Sequence, residues 1–133
     1  MNDRSTVLVV DDNLDQRTIL SALLQYFGYA TEEAANGQQA AQLAEELRPD
    51  IIFMDLQMPL VDGITATERI KANPELKDIP IVAITAFDFD PNVIEGAGFN
   101  FFLLKPVVPS QVLGCITSLL PGGGKSSSQG VTA

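Results

Sequence analysis

Short apolar runs that each end in a polar residue are the feature that most constrains the fold of this chain. Four of these runs precede, in order, the pair Asp11 and Asp12, then Asp55, Thr85 and Lys105. Apolar runs of this length, alternating with helical patterns, are typical of buried strands in a parallel sheet. The ends of parallel strands lie along one edge of such a sheet, and ligands bind there. We therefore expect these five side chains, which are far apart in sequence, to converge on one site.

Segments with apolar residues at helical spacing separate the predicted strands. The strands are predicted at 6–10, 29–34, 50–55, 79–85 and 99–104, and helices at 14–27, 38–48 and 63–72, with a last helix that begins at 109 or 110. In the second helix, the inward positions are predicted to be Ala41, Leu43, Ala44 and Leu47. Strands that alternate with helices through short connections predict an α/β protein with a doubly wound parallel sheet and right-handed crossovers.

The segment between Thr85 and Phe99 has the weakest pattern of the chain. Pro91 can occupy the first turn of a helix, whereas Gly96 and Gly98 limit how far that helix extends. We expect a poorly held helix of at most two turns in this segment.

The bulk properties indicate one cytoplasmic domain, over residues 1–120, followed by a Gly/Ser-rich tail at 121–133 that is expected to be disordered. A net charge of −9 without a basic stripe disfavours direct binding to nucleic acid. The single cysteine, Cys115, forms no disulfide framework and fits a core position in a reducing compartment. The apolar run near the start is too short for a signal peptide or a membrane span.

The acidic residues at two of the predicted strand ends indicate a cation site. Asp11 and Asp12 would repel a nearby Asp55 unless positive charge lay among them. Few, hard oxygen ligands suit Mg²⁺, and a chain with no histidine and one cysteine is poorly equipped for zinc or copper. A single acid at this place is also explained as a helix cap. Two adjacent acids facing a third favour the metal site.

The same set of residues has the composition of a site for phosphoryl transfer. Asp55 precedes a loop that contains Pro59, which we expect to hold the carboxylate pointing outward. A carboxylate can attack phosphorus and form an aspartyl phosphate. Phosphoryl transfer depends mainly on positioning and on charge neutralisation, which a metal ion and Lys105 can provide. The hydroxyl of Thr85 can donate a hydrogen bond to a phosphoryl oxygen.

Four sequence motifs carry a resemblance to a known family. They are V-L-V-V-D-D, I-I-F-M-D-L-Q-M-P-L-V-D-G, I-V-A-I-T-A and F-F-L-L-K-P. Over residues 6 to about 120, the chain resembles the receiver domains of response regulators in two-component signalling. The resemblance implies a five-stranded sheet in the order 2-1-3-4-5 with helices on both faces. It also implies Mg²⁺ as the cofactor and a sensor histidine kinase or histidine phosphotransfer domain as the phosphoryl donor.

The resemblance also assigns the metal ligands and the phosphoacceptor. Asp55 matches the phosphoacceptor of the family. Asp11 and Asp12 match the residues that bind Mg²⁺ together with the Asp55 carboxylate and the backbone carbonyl of Gln57.

The remaining family positions imply a switch between two states. Thr85 matches the switch hydroxyl, Phe102 the aromatic switch residue, and Lys105 the amine that contacts the phosphate. Pro106 follows Lys105, and the family often has a cis bond before this proline. Phe87 is apolar where many relatives are polar, and our hypothesis is that it shields the acyl phosphate from water together with Gln57.

The leading functional interpretation is a phosphorylated signalling protein of a phosphorelay without an attached output domain. It would act on a downstream protein, as a monomer or a phosphorylation-dependent dimer, and would not be an enzyme beyond its own phosphotransfer and autodephosphorylation. One alternative is a pseudo-receiver adaptor that binds partners without phosphorylation. Another is a small-molecule phosphatase with an aspartate nucleophile, although such enzymes place the nucleophile on their first strand.

Overall fold

A computed structural model describes residues 5–58, 62–86 and 90–120 of the chain. Five parallel strands form one sheet in the order β2-β1-β3-β4-β5, which confirms the predicted fold class and strand order. The strands are β1 (Thr6–Val10), β2 (Ala30–Ala34), β3 (Ile51–Asp55), β4 (Ile81–Thr85) and β5 (Phe101–Leu104), and the helices are α1 (Leu14–Tyr26), α2 (Gly37–Leu47), α3 (Gly63–Ala72), α4 (Pro91–Ala97) and α5 (Pro109–Leu119). Among these residues, no helix is both long and apolar enough to cross a bilayer.

Three features predicted from the sequence lie outside the described residues. They are the proline of the loop after β3 (Pro59), the apolar residue two positions beyond β4 (Phe87) and the tail at 121–133. The predicted shielding role of Phe87 and the predicted disorder of the tail therefore stay predictions.

The sheet is covered by helices on both faces because its strands present apolar side chains alternately to each side. In β1, Leu8 and Val10 belong to a core cluster that includes buried residues of α2, α3 and α4. Val7 and Val9 belong to a second cluster, which includes buried residues of α1 and α5. Cys115 of α5 is 5% exposed within the second cluster, in agreement with its predicted core position.

Side-chain caps begin four of the helices close behind the strands that precede them. The capping residues are Asn13, Asn36, Asp62 and Asp90, each of which accepts a hydrogen bond from a backbone amide of the first turn. Such caps satisfy amides that have no partner within the helix. The four caps therefore define the residues at which α1 to α4 begin.

The last strand differs from the predicted buried strand at 99–104. β5 begins at Phe101, and within it only Leu103 is buried. Phe101, Phe102 and Leu104 are 51%, 40% and 45% exposed. Among the described residues, β5 is an edge strand that pairs with β4 alone, and the helix that precedes it, α4, has seven residues. An apolar run therefore marks a strand here without marking full burial.

One further strand boundary and one burial pattern also differ from prediction. β4 begins at Ile81 rather than at 79, directly after Pro80, which has no backbone N–H to donate to a sheet. Of the α2 residues predicted to face inward, Ala44 is fully buried, and Ala41 and Leu43 are partly buried against the core. Leu47 in the last turn is 41% exposed instead, and Ala40, which is not in the predicted set, is fully buried. The predicted two-turn limit of α4 is confirmed, and that helix contributes two residues, Ile94 and Ala97, to the core.

Candidate functional site

The predicted site residues of three strands lie on the same side of the sheet. Asp55 is the last residue of β3, and Asp11 and Lys105 directly follow β1 and β5. By strand alternation, each continues the set of side chains that faces α1 and α5, to which Val9, Phe53 and Leu103 belong. The common end of the parallel strands therefore brings an acid, a second acid and an amine together, as the sequence predicted.

Three carboxylates form one cluster at this edge. Asp11, Asp12 and Asp55 each offer an oxygen, and these oxygens lie within 4.8 Å of one another. Asp11 and Asp55 are buried, whereas Asp12 is exposed and leaves the cluster open to solvent on one side. A few hard oxygen ligands with an open side are the arrangement in which proteins bind Mg²⁺ with part of its water shell. The donor set fits that ion.

Lys105 supplies the positive charge of the cluster. Its Nζ atom donates a hydrogen bond to Oδ2 of Asp55 at 3.2 Å and lies 3.9 Å from Oδ2 of Asp11. Lys105 is held at the end of the sheet because its backbone amide donates to the carbonyl of Thr85 at 2.8 Å. This hydrogen bond extends the pairing of β4 and β5 by one residue. The amine thus offsets part of the repulsion among the acids.

The Asp55 carboxylate is more enclosed than the sequence predicted. Its Oδ1 atom accepts a hydrogen bond from the backbone amide of Gln57 at 2.9 Å, while its Oδ2 atom accepts from Lys105. The residue is 2% exposed, so its carboxylate is directed into the cluster at the sheet edge and is covered there rather than open to solvent. The amine and the neighbouring carboxylates cover it. Two hydrogen bonds fix its orientation, which is what an attacking carboxylate requires.

The Asp11 carboxyl has a pKa well above its usual value. Burial raises its pKa from 3.8 to about 6, and the nearby Asp55 carboxylate, which can share the proton through a hydrogen bond, adds to the rise. The backbone amide of Asn13, which donates to Oδ1 of Asp11 at 2.9 Å, and the Lys105 amine act in the opposite direction. A bound cation would favour the charged form of this group, so protons and metal compete here.

Arg17 is a supporting residue that the sequence reasoning did not identify. Its Nη1 atom donates to the backbone carbonyl of Asp11 at 2.8 Å, and its Nε atom donates to Oε1 of Glu33 at 2.9 Å. The guanidinium therefore ties the loop that carries the acids to α1 and to the edge strand β2. The one signal in the sequence is an arginine in the first turns of a helix that follows two acids.

Gly63 is a second supporting residue that sequence reasoning missed. It begins α3, and a Cβ atom at this position would lie 2.3 Å from the carbonyl oxygen of Asp55 and 2.9 Å from Cα of Leu56. Real Cβ atoms do not approach backbone this closely. The absence of a side chain thus lets the start of α3 pack directly against the backbone of the central acid.

The two predicted switch residues lie on one face of the sheet. Thr85 ends β4 and is fully buried, and strand alternation places it on the same face as Ala83. Phe102 pairs with Ala83 in the register of β4 and β5. The half-exposed ring of Phe102 thus lies beside the small side chain of Ala83. Ala83 precedes Thr85 by two residues in β4. The peptide bond between Lys105 and Pro106 is cis, as the family pattern suggested.

A cavity of about 440 Å³ adjoins the site between α1 and the segment after β5. Asp11, Gln16 and Lys105 line its polar side. Apolar side chains line the rest, namely those of Ile19, Leu20, Ile84, Ala86, Pro106 and Val107. The charged cluster therefore borders an apolar surface that is accessible from solvent.

Comparison with known proteins agrees with this geometry. Residues 7–117 match the family described as the response regulator receiver domain. A Brucella anthropi protein named polar-differentiation response regulator DivK is 36% identical over 117 residues, which are 86% of this chain and 95% of that protein.

Two solved structures extend the comparison. The Vibrio cholerae chemotaxis protein CheY4 is 30% identical with a TM-score of 0.83, and the match covers 88% of this chain and 99% of that one. The receiver domain of the Pseudomonas aeruginosa sensor histidine kinase PA1611, solved with a magnesium ion in its active site cleft, is 32% identical with a TM-score of 0.81, covering 87% of this chain and 97% of that one. By sequence and by fold, this chain belongs to the response regulator receiver domain family of two-component signalling.

Proposed function

We propose that this receiver domain accepts a phosphoryl group on the Asp55 carboxylate in a Mg²⁺-dependent reaction. The donor in this proposal is a phosphohistidine of a sensor histidine kinase or of a histidine phosphotransfer protein. The observation that carries the proposal is the meeting of three carboxylates within 4.8 Å, with the amine of Lys105 bonded to Asp55. The magnesium ion in the related PA1611 receiver domain supports the choice of cofactor.

The residues available for the metal are the acids of the cluster. Asp11, Asp12 and Asp55 would hold Mg²⁺ together with the backbone carbonyl of Gln57, and the bound ion would supply positive charge beside the phosphoryl oxygens. The open side at Asp12 leaves room for water and for the incoming group. Asp11, already deprotonated above about pH 6, presents its charged form to the ion at neutral pH.

Phosphoryl transfer then needs few further groups. An oxygen of Asp55 forms a bond to phosphorus while the bond from phosphorus to the donor's imidazole nitrogen breaks, and that electron pair leaves with the imidazole. The Gln57 amide and the Lys105 amine hold the two Asp55 oxygens in place before attack. Lys105 then pairs with the phosphoryl oxygens, whose charge of roughly −1.5 to −2 exceeds that of the carboxylate.

The signal is proposed to pass through Thr85 and Phe102. The new charge on Asp55 draws the Thr85 hydroxyl towards a phosphoryl oxygen, and the Phe102 ring moves into the space that opens. Two observations support this path: both residues lie on one face of the sheet, and Phe102 neighbours the small Ala83 there. Such a repacking is a two-state equilibrium that one local charge biases.

The biological setting in this proposal is a cytoplasmic phosphorelay in which a protein target reads the phosphorylated state. The net charge of −9 supports a protein target rather than direct binding to nucleic acid. Both the monomer and a phosphorylation-dependent dimer are compatible with such signalling. In this proposal the domain turns over no external substrate, and it catalyses its own phosphorylation and dephosphorylation alone.

The test is incubation of the full chain with Mg²⁺ and a small acyl phosphate, followed by intact-mass measurement. We expect a mass gain of one phosphoryl group in the wild type with Mg²⁺. We expect no gain when the metal is chelated before the phosphodonor is added, and none in Asp55→Asn. A protein that binds partners without phosphorylation would gain no mass, and steady release of phosphate from a generic ester that depends on Asp55 would indicate a phosphatase instead.

A further inference from the structure

Gln16 forms the shortest contact of the Lys105 amine among the described residues. Its Oε1 atom accepts a hydrogen bond from Nζ of Lys105 at 2.8 Å, compared with 3.2 Å between the same Nζ and Asp55. None of the sequence motifs includes this glutamine, and among the described residues its only side-chain hydrogen bond is the one from Lys105. Its side chain therefore acts on the site through Lys105.

The first turn of α1 fixes the position of Gln16. Its backbone amide donates to Oδ1 of the capping residue Asn13 at 2.9 Å, and the amide of Asn13 donates to Oδ1 of Asp11 at 2.9 Å. Together with the contacts of Lys105 to Gln16 and Asp55, these bonds form a chain around the site. The glutamine is thus anchored to the same loop that carries the metal-binding acids.

A neutral acceptor suits this position. The lysine side chain has four rotatable bonds, and holding it in one geometry costs conformational entropy of up to about 2 kcal/mol. A carboxylate at position 16 would hold the amine but would also neutralise it. Without any acceptor, the amine is drawn by two carboxylates that Mg²⁺ must also bind. The amide oxygen of Gln16 fixes one of the three N–H donors and leaves the charge available.

We propose that Gln16 is a positioning residue that holds the Lys105 amine beside Asp55 for phosphoryl transfer. This inference rests on the proposed function. In the transfer step, the bond from Asp55 to phosphorus forms as the bond to the leaving group breaks, and Lys105 stabilises the phosphoryl oxygens. Gln16 contacts none of the reacting atoms and raises the fraction of time that the amine spends in the productive place.

The test compares Gln16→Met with wild type in the rate of phosphorylation by a small acyl phosphate at varied Mg²⁺. Methionine matches glutamine in length and helix propensity but lacks the amide acceptor. We expect the rate at saturating Mg²⁺ to fall about three- to tenfold, as the loss of one hydrogen bond predicts. The Mg²⁺ concentration for half-maximal rate should stay within a factor of about two, since the side-chain hydrogen bond of Gln16 goes to Lys105 and not to a metal-binding acid.

Gln25→Met is the matched control, because Gln25 is an exposed glutamine of the same helix whose amide donates to Thr31 away from the site. It should retain the wild-type rate. Gln16→Ala is the second variant, and it should reproduce the loss seen with methionine. Circular dichroism establishes that each variant is folded, which the exposed position of Gln16 favours.

Three results overturn the inference while the proposed function stands. They are a rate for Gln16→Met within twofold of wild type, an equal loss in Gln25→Met, or a loss that is matched by an equal change in the half-saturating Mg²⁺ concentration. If wild type itself gains no phosphoryl group, the proposed function fails, and the inference fails with it.

Discussion

The amine of Lys105 lies 3.2 Å from a carboxylate oxygen of Asp55, which joins the segment after the edge strand β5 to the end of the central strand β3. Strand β4 separates these two strands in the sheet, so the contact spans two strand spacings above the sheet edge. The same amine offsets the charge of Asp55 before phosphorylation and, in the proposed function, pairs with the phosphoryl oxygens afterwards.

Replacement of Lys105 by methionine should destabilise the metal-free protein. The carboxylate oxygens of Asp11, Asp12 and Asp55 lie within 4.8 Å of one another, and Asp11 and Asp55 would lose their ion pairs with Lys105. We expect a loss of roughly 1.5–3 kcal/mol in the free energy of unfolding at pH 8, as for a hydrogen bond to a charged group. Urea unfolding measures it. The difference should shrink at saturating Mg²⁺, and a loss of equal size with and without metal would contradict this explanation.

The stability of the metal-free protein should depend on the titration of Asp11. Its pKa is about 6 in the folded state, above 3.8, so the folded protein retains a proton that the unfolded chain has lost between these values. Stability should therefore fall as the pH rises from 4 to 6, by at most about 3 kcal/mol. Because the unfolding free energy of any protein depends on all of its acids in this range, the effect of Asp11 is isolated by subtraction. The unfolding free energy of Asp11→Asn is subtracted from that of the wild type at each pH. A difference that is flat or rises with pH would contradict the assignment.

Gly63→Ala should distort the site, because the new Cβ atom would lie 2.3 Å from the carbonyl oxygen of Asp55. We expect a loss of about 1–3 kcal/mol in the free energy of unfolding, as for overpacking. Gly114→Ala in α5 is the matched control, since nothing lies within 4 Å of its added Cβ. That control should stabilise the protein by up to about 1 kcal/mol through helix propensity. Thermal unfolding of both variants measures the contrast, and equal effects would contradict the close approach.

Phosphorylation should change the environment of residue 102 and leave that of residue 101 unchanged. The chain contains no tryptophan, so Phe102→Trp and Phe101→Trp each introduce a single fluorescent probe on neighbouring, oppositely directed positions of β5. Addition of Mg²⁺ and a small acyl phosphate should shift the emission of the tryptophan at 102 to the blue, as the ring leaves water. The shift should be absent when Thr85→Ala is combined with Phe102→Trp in one variant. An equal shift at both positions would contradict the switch.

The sequence predicts most elements of this fold well because four of its five strands are short apolar runs that end at a polar residue. The same pattern locates Asp11, Asp55 and Lys105, since the register of a parallel sheet aligns the ends of its strands. The pattern does not distinguish a central strand from an edge strand, because that difference depends on which other strands pair with it on either side. For this reason the sequence predicts a buried β5, although Phe101 and Phe102 are about half exposed in the structure.

The residues that support the acidic site are not evident from the sequence. Gln16 and Arg17 act through side-chain hydrogen bonds that depend on where α1 begins, and Gly63 acts through a backbone approach between α3 and β3. Neither spacing nor hydropathy encodes such contacts. Charge and strand position are sufficient to locate the acids, whereas the residues that orient those acids emerge only from the packing of helices against strand ends.

The most direct test of the central claim is to locate the phosphoryl group on the chain. Borohydride reduces an aspartyl phosphate to homoserine, which peptide mass mapping assigns to one position. After treatment with Mg²⁺ and a small acyl phosphate, we predict homoserine at residue 55 alone and only when the metal is present. Homoserine at residue 11 or 12, or labelling that persists in Asp55→Asn, would contradict the account.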